Sequence, residues 1–278
     1  MQERKEYPAG VPCWVDTGRQ DPQTALDFYG GLFGWELENV SPSGAPRYFT
    51  AKLHGLTVAA VGEQPGMDWA PMWNSYVRVE SADEMAAKAA AEGGNVTMEP
   101  FDAGTAGRLA AFTDPEGASL CVWEPNETRG LQLVNDPGAW VSSELSTRDP
   151  AGAAAFYGAL FGWETRPLGD EMTMFVRPGY AEFLAQDDPE MPGRLEEYQA
   201  PEGFGDMVAY LVPSSDEQGP PAWGITFSVE DADASAERAR ELGGKVLVEP
   251  FDAPWVRMTV VSDPEGAVVS LSQFVPPS

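Results

Sequence analysis

The stretch Phe28-Tyr29-Gly30-Gly31-Leu32-Phe33-Gly34-Trp35-Glu36 returns 128 residues later as Phe156-Tyr157-Gly158-Ala159-Leu160-Phe161-Gly162-Trp163-Glu164. Self-similarity of this kind makes the chain a duplication, and it sets the architecture before any single element is read. Two later phrases agree: Glu99-Pro100-Phe101-Asp102-Ala103 recurs at Glu249 to Ala253, and Asp114-Pro115-Glu116-Gly117-Ala118 at Asp263 to Ala267. The offset grows to 150 and 149 at these phrases, so the second copy carries about 22 extra residues. The acidic, Gly- and Pro-rich stretch at about 190–222 is the expected insertion, read either as a lid over a binding cup or as a solvated loop.

Working outward, each phrase belongs to a helix. Asp21-Pro22 and Asp149-Pro150 read as an N-cap followed by proline at the first helical position. Ala25, Phe28 and Leu32, and likewise Ala153, Phe156 and Leu160, fall on one face, and Gly34 and Gly162 stop the helices. Strand-like runs follow at 47–53 and 56–61 around the turn His54-Gly55, with expected counterparts at Met172 to Arg177 and Tyr180 to Ala185. A second unit begins with a strand at Ser75 to Val79 and a helix opened by the capping box Ser81-Ala82-Asp83-Glu84 and closed at Gly93-Gly94. Strands around Val96, Leu109 to Thr113 and Ser119 to Trp123 complete it. Ile225 to Val229 and Gly243-Gly244 mark the equivalent unit in the second half. Four βαβββ units, two per half, make the expected fold α+β, with mostly antiparallel, cup-shaped sheets. The expected divisions are a first domain at 1–126, a linker at 127–138 and a second domain at 139–278.

The chain has 278 residues, is 43% hydrophobic, and carries 17 Lys and Arg against 44 Asp and Glu, a net charge of −27. That balance excludes nucleic acid and anionic membrane surfaces as partners, since both require clustered cations. It would draw a cationic ligand, although acidity of this degree also serves solubility alone. With neither a long apolar run nor an apolar segment after Met1, the sequence points to the cytoplasm. Cys13 and Cys121 form no disulfide framework or C-x-x-C pattern and read as small buried hydrophobes.

The D-P-x-x-A-x-x-F-Y-x-x-L-F-G-W helix entry and the G-G-x-V…D-P-E-G-A ending, each present twice, resemble the vicinal oxygen chelate superfamily, known also as the glyoxalase and bleomycin-resistance fold. The tandem arrangement resembles actinobacterial glyoxalase-like "hydroxylase" proteins, some of them from aromatic antibiotic pathways. The resemblance implies paired βαβββ units curled into cups. In metal-dependent members it also implies His or Glu on the first and last strands of the cup wall. Here those positions carry Trp14 and Ser142, Asn74 and Gly224, and Cys121 and Ser270, a set unsuited to a hard cation. No metal and no other cofactor is therefore expected. His54 reads as an exposed turn residue. Glu182, on an expected strand, is the one carboxylate that reopens the metal question, through pairing with Asp16 or Glu144.

A cup without metal is still a concave pocket suited to a small molecule. Strand alternation places Trp14 with Asp16, Asn74 with Tyr76, Cys121 with Trp123, Ser142 with Glu144, Gly224 with Thr226, and Ser270 with Ser272 on common faces. With Trp255, these residues, Gly224 apart, are the candidate ligand-binding set; no catalytic residue is assigned. Their rings suit a planar aromatic ligand, and an amine on it would meet Asp16 or Glu144. Trp35, Trp73, Trp163 and Trp223 recur in both halves and read as core. Trp14, Trp123 and Trp255 stand against Ser142, Ser272 and Thr105 in the other half, an asymmetry that signals either one specialised cup or drift. Arg108 and Arg257, each six residues before a D-P-E-G phrase, read first as a shared structural ion pair to that turn, with contact to a substrate anion as the alternative.

The leading functional expectation is metal-independent sequestration of an aromatic, cationic natural product. It would serve self-resistance or support a tailoring enzyme, with a functional link to a biosynthetic oxygenase. The alternative is a metal-independent hydroxylase-, isomerase- or cyclase-like enzyme using Asp16, Glu144 or Tyr76 as acid or base. A third reading is a structural or interaction protein.

Overall fold

The duplication appears as two eight-stranded sheets of identical strand order. The computed structural model describes residues 2–66, 70–168, 172–215 and 219–276. After β1 (Gln2–Glu3), the first half runs β2 (Pro12–Arg19), α1 (Gln23–Phe33), β3 (Glu36–Asn39), β4 (Tyr48–Leu53) and β5 (Leu56–Glu63). It continues with β6 (Trp73–Arg78), α2 (Ala82–Ala91), β7 (Asn95–Asp102), β8 (Gly107–Thr113) and β9 (Ser119–Pro125). After β10 (Leu133–Val134), which pairs with β1, come β11 (Trp140–Thr147), α3 (Pro150–Phe161), β12 (Glu164–Leu168) and β13 (Met172–Val176). Next are α4 (Tyr180–Asp187), α5 (Met191–Glu197), a 3-10 turn (Phe204–Asp206) and β14 (Met207–Pro213). β15 (Ala222–Ser228), α6 (Ala232–Glu241), β16 (Lys245–Ala253), β17 (Val256–Ser262) and β18 (Val268–Phe274) end the chain.

The sheet orders are β3-β4-β5-β2-β6-β9-β8-β7 and β12-β13-β14-β11-β15-β18-β17-β16. The first strand of each unit lies near the centre, parallel to the last strand of its own unit and antiparallel to the first strand of its neighbour. This is the α+β architecture of paired βαβββ units expected from the repeat. The centre of each sheet is therefore built from first and last strands, which brings Asp16, Asn74 and Cys121 within one cluster of neighbouring strands.

Both phrase helices stop at a glycine with φ 71°, Gly34 and Gly162, in the left-handed conformation that only glycine adopts without strain. The start of α3 is as expected, with the Asp149 carboxylate accepting from the Gly152 N–H at 2.9 Å. The start of α1 differs. Pro22 takes the cap position with helical angles, and Asp21 accepts from the Gln23 N–H at 3.2 Å while sharing its carboxylate with Arg47 at 3.1 Å. Ser81 caps α2, as its capping box indicated.

One expected strand is a helix. Tyr180 to Ala185 opens α4, because Tyr180, Phe183 and Leu184 follow helical spacing among the strong helix formers Ala181, Glu182 and Ala185. Asp206 accepts from the Ala181 N–H at 2.7 Å and anchors its first turn. The counterpart of β5 is β14, so residues 177–206 stand where the first half has the two-residue turn His54-Gly55. The extra chain thus begins earlier than the acidic composition suggested.

The halves are interlocked. Phe28 of α1 packs over Gly244, where an added Cβ would lie 2.6 Å from its ring, and Phe156 of α3 packs over Gly94 in the same way at 3.0 Å. Tyr29 donates to Asp263 at 3.1 Å and Tyr157 to Asp114 at 2.9 Å, so each D-P-E-G turn is gripped by the helix of the other half. Trp73 and Trp223 donate to those tyrosine hydroxyls at 2.8 and 2.9 Å. Trp35 and Trp163 donate to the carbonyls of Gly138 and Gly10, so all four recurrent tryptophans are core, as expected. The arginine pair is also shared by both halves but has other partners. Arg108 grips Asp83 and Asp102, and Arg257 grips Asp233 and Asp252, joining the helix start to the edge hairpin and not to the D-P-E-G turn. Among the described residues no helix is long and apolar enough to cross a membrane.

Candidate functional site

Alternation along β2, β6 and β9 turns Trp14, Asp16, Tyr76 and Trp123 to one face, where they line a cavity of about 810 Å³. The floor is a carboxylate held by three donors. Asp16 Oδ2 accepts from Tyr48 at 2.8 Å and from Tyr76 at 3.0 Å, and Oδ1 accepts from Asn74 Nδ2 at 2.9 Å. Trp14 donates its indole N–H to the Tyr48 hydroxyl at 3.0 Å, and Trp123 donates to the Thr128 carbonyl at 2.8 Å. Both indoles thus have their polar atom satisfied within the chain, which leaves ring surface to face the cavity. Cys121 is buried, opposite Tyr76 in the strand register, and supports that phenol without lining the cavity.

Burial pushes the Asp16 carboxyl above its ordinary pKa, while the hydrogen bonds from Asn74, Tyr48 and Tyr76 pull it back down. The same burial, reinforced by the Asp16 charge, raises both phenols, so they remain donors. The arrangement offers an oriented proton acceptor between two hydroxyl donors in an apolar, ring-walled space. The mouth is bordered by Glu3, Arg4 and Lys5 and by Thr128 to Gly130, which the pairing of β1 with β10 brings alongside.

The second cup uses the equivalent positions differently. Glu144 stands where Asp16 does, its carboxylate accepting from Thr226 at 2.9 Å and from Ser270 at 3.2 Å. Gly224 lies opposite it in the register, where the first cup has Asn74. A Cβ at Gly224 would sit 2.9 Å from Glu144 Oε1, so the longer acid fills the room that the asparagine takes in the first cup. Burial raises Glu144, and Thr226 and Ser270 oppose that rise. The neighbouring Tyr210 phenol is pushed up to about 12, first by burial and then by the Glu144 charge.

The candidate residues therefore divide between two separate places. Trp14, Asp16, Asn74, Tyr76, Cys121 and Trp123 meet in the first cup. Ser142, Glu144, Thr226, Ser270 and Ser272 share a face of the second, and Trp255 sits at its edge, at φ 64° in the β16–β17 turn. Sequence reading missed Tyr48 and Tyr210. The signal for Tyr48 is Gly62, a glycine inside a strand: a side chain there would meet the Tyr48 ring at 2.9 Å. Tyr210 was hidden because its strand was assigned to Tyr180–Ala185. His54 is an exposed turn residue at φ 53°, as expected. Glu182, by contrast, lies on the exposed side of α4 and not on a cup strand, which overturns its pairing with Asp16 or Glu144.

The cup floors do not fit a metal. Among the described residues no three His, Cys, Asp or Glu side chains converge, and both oxygens of Asp16 and of Glu144 already accept from phenol, amide or alcohol donors.

Residues 14–122 match the glyoxalase/bleomycin resistance protein/dioxygenase superfamily, and residues 142–272 match a glyoxalase-like domain. CFP32 of Mycobacterium tuberculosis, named as a glyoxylase, is 36% identical over 286 residues, covering 99% of each chain. The anthracycline biosynthesis protein DnrV of Streptomyces peucetius is 33% identical over 289 residues, covering 96% of this chain and 94% of its own. In fold, the chain is similar to the Mn(II)-bound glyoxalase of Novosphingobium aromaticivorans, with TM-score 0.59 and 16% identity over 95% of this chain and 82% of that one. It is also similar to 2,2',3-trihydroxybiphenyl 1,2-dioxygenase of Sphingomonas wittichii, with TM-score 0.58 and 12% identity over 96% and 92%.

Proposed function

The chain belongs to the glyoxalase/bleomycin resistance protein/dioxygenase superfamily, as a tandem of two such domains, and from that premise we propose that its first cup binds a planar aromatic natural product without metal. The carrying observation is the cavity of about 810 Å³ that places two indoles beside a buried carboxylate. That volume suits a multi-ring ligand. Stacking on Trp14 and Trp123 supplies apolar contact, and an amine on the ligand meets Asp16, whose charged form it stabilises. Relatives named for anthracycline biosynthesis support a polycyclic ligand and a role in secondary metabolism. The protein sequesters its ligand in the cytoplasm, protecting the cell or withdrawing product from a tailoring oxygenase. Shape and stacking suffice for this.

A second reading is carried by Asp16 itself. A carboxyl raised by burial and flanked by two phenols is equipped for proton transfer to or from a bound ring system, with Tyr76 or Tyr48 as the donor. Native mass spectrometry of the protein with planar polycyclic compounds separates the two. A ligand retained at unaltered mass supports sequestration; release of a species of changed mass supports catalysis. Trp14→Ala and Trp123→Ala should each weaken binding about tenfold or more, since truncating a stacked ring removes roughly 1.5–3 kcal/mol. Unchanged affinity in both variants would remove the first cup as the site.

A further inference from the structure

The cations of the first cup all come from one side. Among the described residues that line the cavity, only Arg4, Lys5 and Arg129 are basic, and the pairing of β1 with β10 together with the Arg129–Glu6 ion pair sets all three along the same rim. None of the candidate residues read from the sequence is a cation, because this rim is supplied by the segment before β2 and by the stretch after β9, not by a cup strand. Register fixes how far the rim lies from the floor. The Arg4 N–H bonds the Gln132 carbonyl at 2.9 Å, the Gln132 N–H bonds the Thr57 carbonyl at 2.8 Å, and Thr57 stands three residues before Ala60, the partner of Asp16. Three residues of strand span roughly 10 Å, so Arg4 and Asp16 face opposite ends of a bound ring system.

Arg4 lacks a counter-ion in a chain with a large excess of acid. Its Nη1 donates to the Glu3 carbonyl at 3.2 Å, while Nε is shut off from water and has no hydrogen-bond partner. Among the described residues no carboxylate lies within ion-pair distance of Arg4 or Lys5, whereas Arg129 pairs with Glu6 at 3.0 Å. Asp188, which feels the Arg4 charge, is engaged by Arg194. The buried phenols of Tyr7 and Tyr180 flank the guanidinium. Burial raises both and the Arg4 charge opposes the rise, so both stay protonated and neither supplies a counter-charge. The acids along the cavity are otherwise engaged: Asp16 by its three donors, Glu63 by Arg47 at 3.1 Å and Glu127 by Thr105, while Glu3 is exposed to solvent. A guanidinium that is partly desolvated and uncompensated is satisfied best by an oxyanion, through charge and through paired N–H donors.

Resting on the first-cup reading above, we propose that the aromatic ligand of that cup is an acid, with a carboxylate at the end remote from Asp16, and that Arg4, with Lys5 beside it, is the residue that selects it. The rings stack on Trp14 and Trp123, a hydroxyl or amine turns to Asp16, and the carboxylate lies at the rim. The net charge of −27 repels such an acid over the rest of the surface, so acceptance depends on the cations at this one edge. Screening to about 8 Å at physiological salt confines the repulsion and lets the local pair decide.

The test is calorimetric titration of the full-length protein with rhein, a dihydroxyanthraquinone carboxylate, and with aloe-emodin, which has a hydroxymethyl group in place of the carboxylate. Rhein should bind about tenfold more tightly or better, the scale of a hydrogen-bonded charge. Arg4→Gln should cut that advantage by about fivefold or more, and adding Lys5→Gln should abolish it, while the affinity for aloe-emodin stays the same in all three proteins. Circular dichroism checks that the variants are folded. In the parent protein the advantage of rhein should also shrink as salt is raised. If both compounds bind and Trp14→Ala weakens both, then equal affinities in the parent protein, or an advantage of rhein that survives the double substitution, overturn the proposal and leave the first-cup reading intact. If neither compound binds, or Trp14→Ala leaves both affinities unchanged, the first-cup reading itself fails and this inference falls with it.

Discussion

Asp16 and Glu144 hold the same strand position in the two halves, and a single methylene separates their chemistry. Asp16 is short enough to leave room for Asn74 and is gripped by two phenols; Glu144 needs Gly224 opposite it and is met by two alcohols. Both carboxyls are raised by burial, so each holds its proton to a higher pH in the folded protein than in the unfolded chain. Folding therefore takes up a proton between the two values. The stability this contributes is fully present below the unfolded pKa and is lost as pH rises through the folded one. Glu144→Gln removes the linkage while keeping one acceptor oxygen, its NH2 donating to the other of the two hydroxyls. Its melting temperature relative to the parent protein should accordingly be higher at about pH 7.5 than at about pH 4, in thermal melts at matched ionic strength. A difference independent of pH would mean that Glu144 does not titrate abnormally. Arg19 is a second case where one residue breaks the symmetry. It is fully buried and pairs with Asp263 at 2.6 Å, while Thr147 fills the equivalent place and bonds Glu116. Truncation by Arg19→Ala strands a buried carboxylate and should cost about 3–5 kcal/mol in denaturant unfolding. Thr147→Ala loses the bond Thr147 donates to Glu116 and the one it accepts from the Asp149 N–H, and should cost about 1–2 kcal/mol.

At the scale of elements, the helices are held by close approach as much as by apolar area. Gly244 follows α6, and a Cβ there would lie 2.5 Å from the Ser262 carbonyl oxygen and 2.6 Å from the Phe28 ring. A backbone oxygen on one side and a packed ring on the other leave no direction in which to yield. Gly244→Ala should therefore destabilise by about 1–3 kcal/mol, seen as a lower denaturation midpoint without change in slope. The same contacts explain which parts of the fold the sequence discloses. The Gly-Gly pair, the F-Y-G-x-L-F-G-W phrase and the D-P-E-G turn are fixed by steric demands that few residues meet, so they recur in letters, and the units can be counted from them. Cup faces follow too, because period-two alternation on central strands is enforced by burial on both sides. The α4 segment was misread for the opposite reason. No repeat constrains Tyr180 to Ala185, so only local preference and tertiary partners such as Asp206 decide it. Tyr48 escaped because its partner Asp16 lies 32 residues away across an intervening strand, a contact that composition cannot show.

For the molecule as a whole, the two halves are parts of one packing unit. The hydroxyls of Ser75 and Ser143 meet at 2.6 Å where the central strands pack back to back, and the alternate residues, which form the cups, point away from that contact. Each phrase helix grips the turn of the opposite half through Tyr29 and Asp263 or Tyr157 and Asp114, and Trp163 bonds the Gly10 carbonyl at 2.6 Å. Separating the halves would expose Phe28 and Phe156 to water, orphan the buried Asp263 charge and leave two tyrosine hydroxyls without their acceptors. Segments 1–138 and 139–278 produced alone should then lack a cooperative thermal transition, and mixing them should restore a one-to-one complex with one transition, read by circular dichroism and size exclusion. The net charge of −27 opposes this assembly through like-charge repulsion. Recombination should therefore strengthen as salt rises to about 0.15 M and above, where screening shortens to about 8 Å, while the buried Arg19–Asp263 pair is little affected. If each segment instead unfolded cooperatively alone, at a temperature near that of the intact chain, the cross-half contacts would be incidental to stability and the duplication would be a simple tether of two self-sufficient cups.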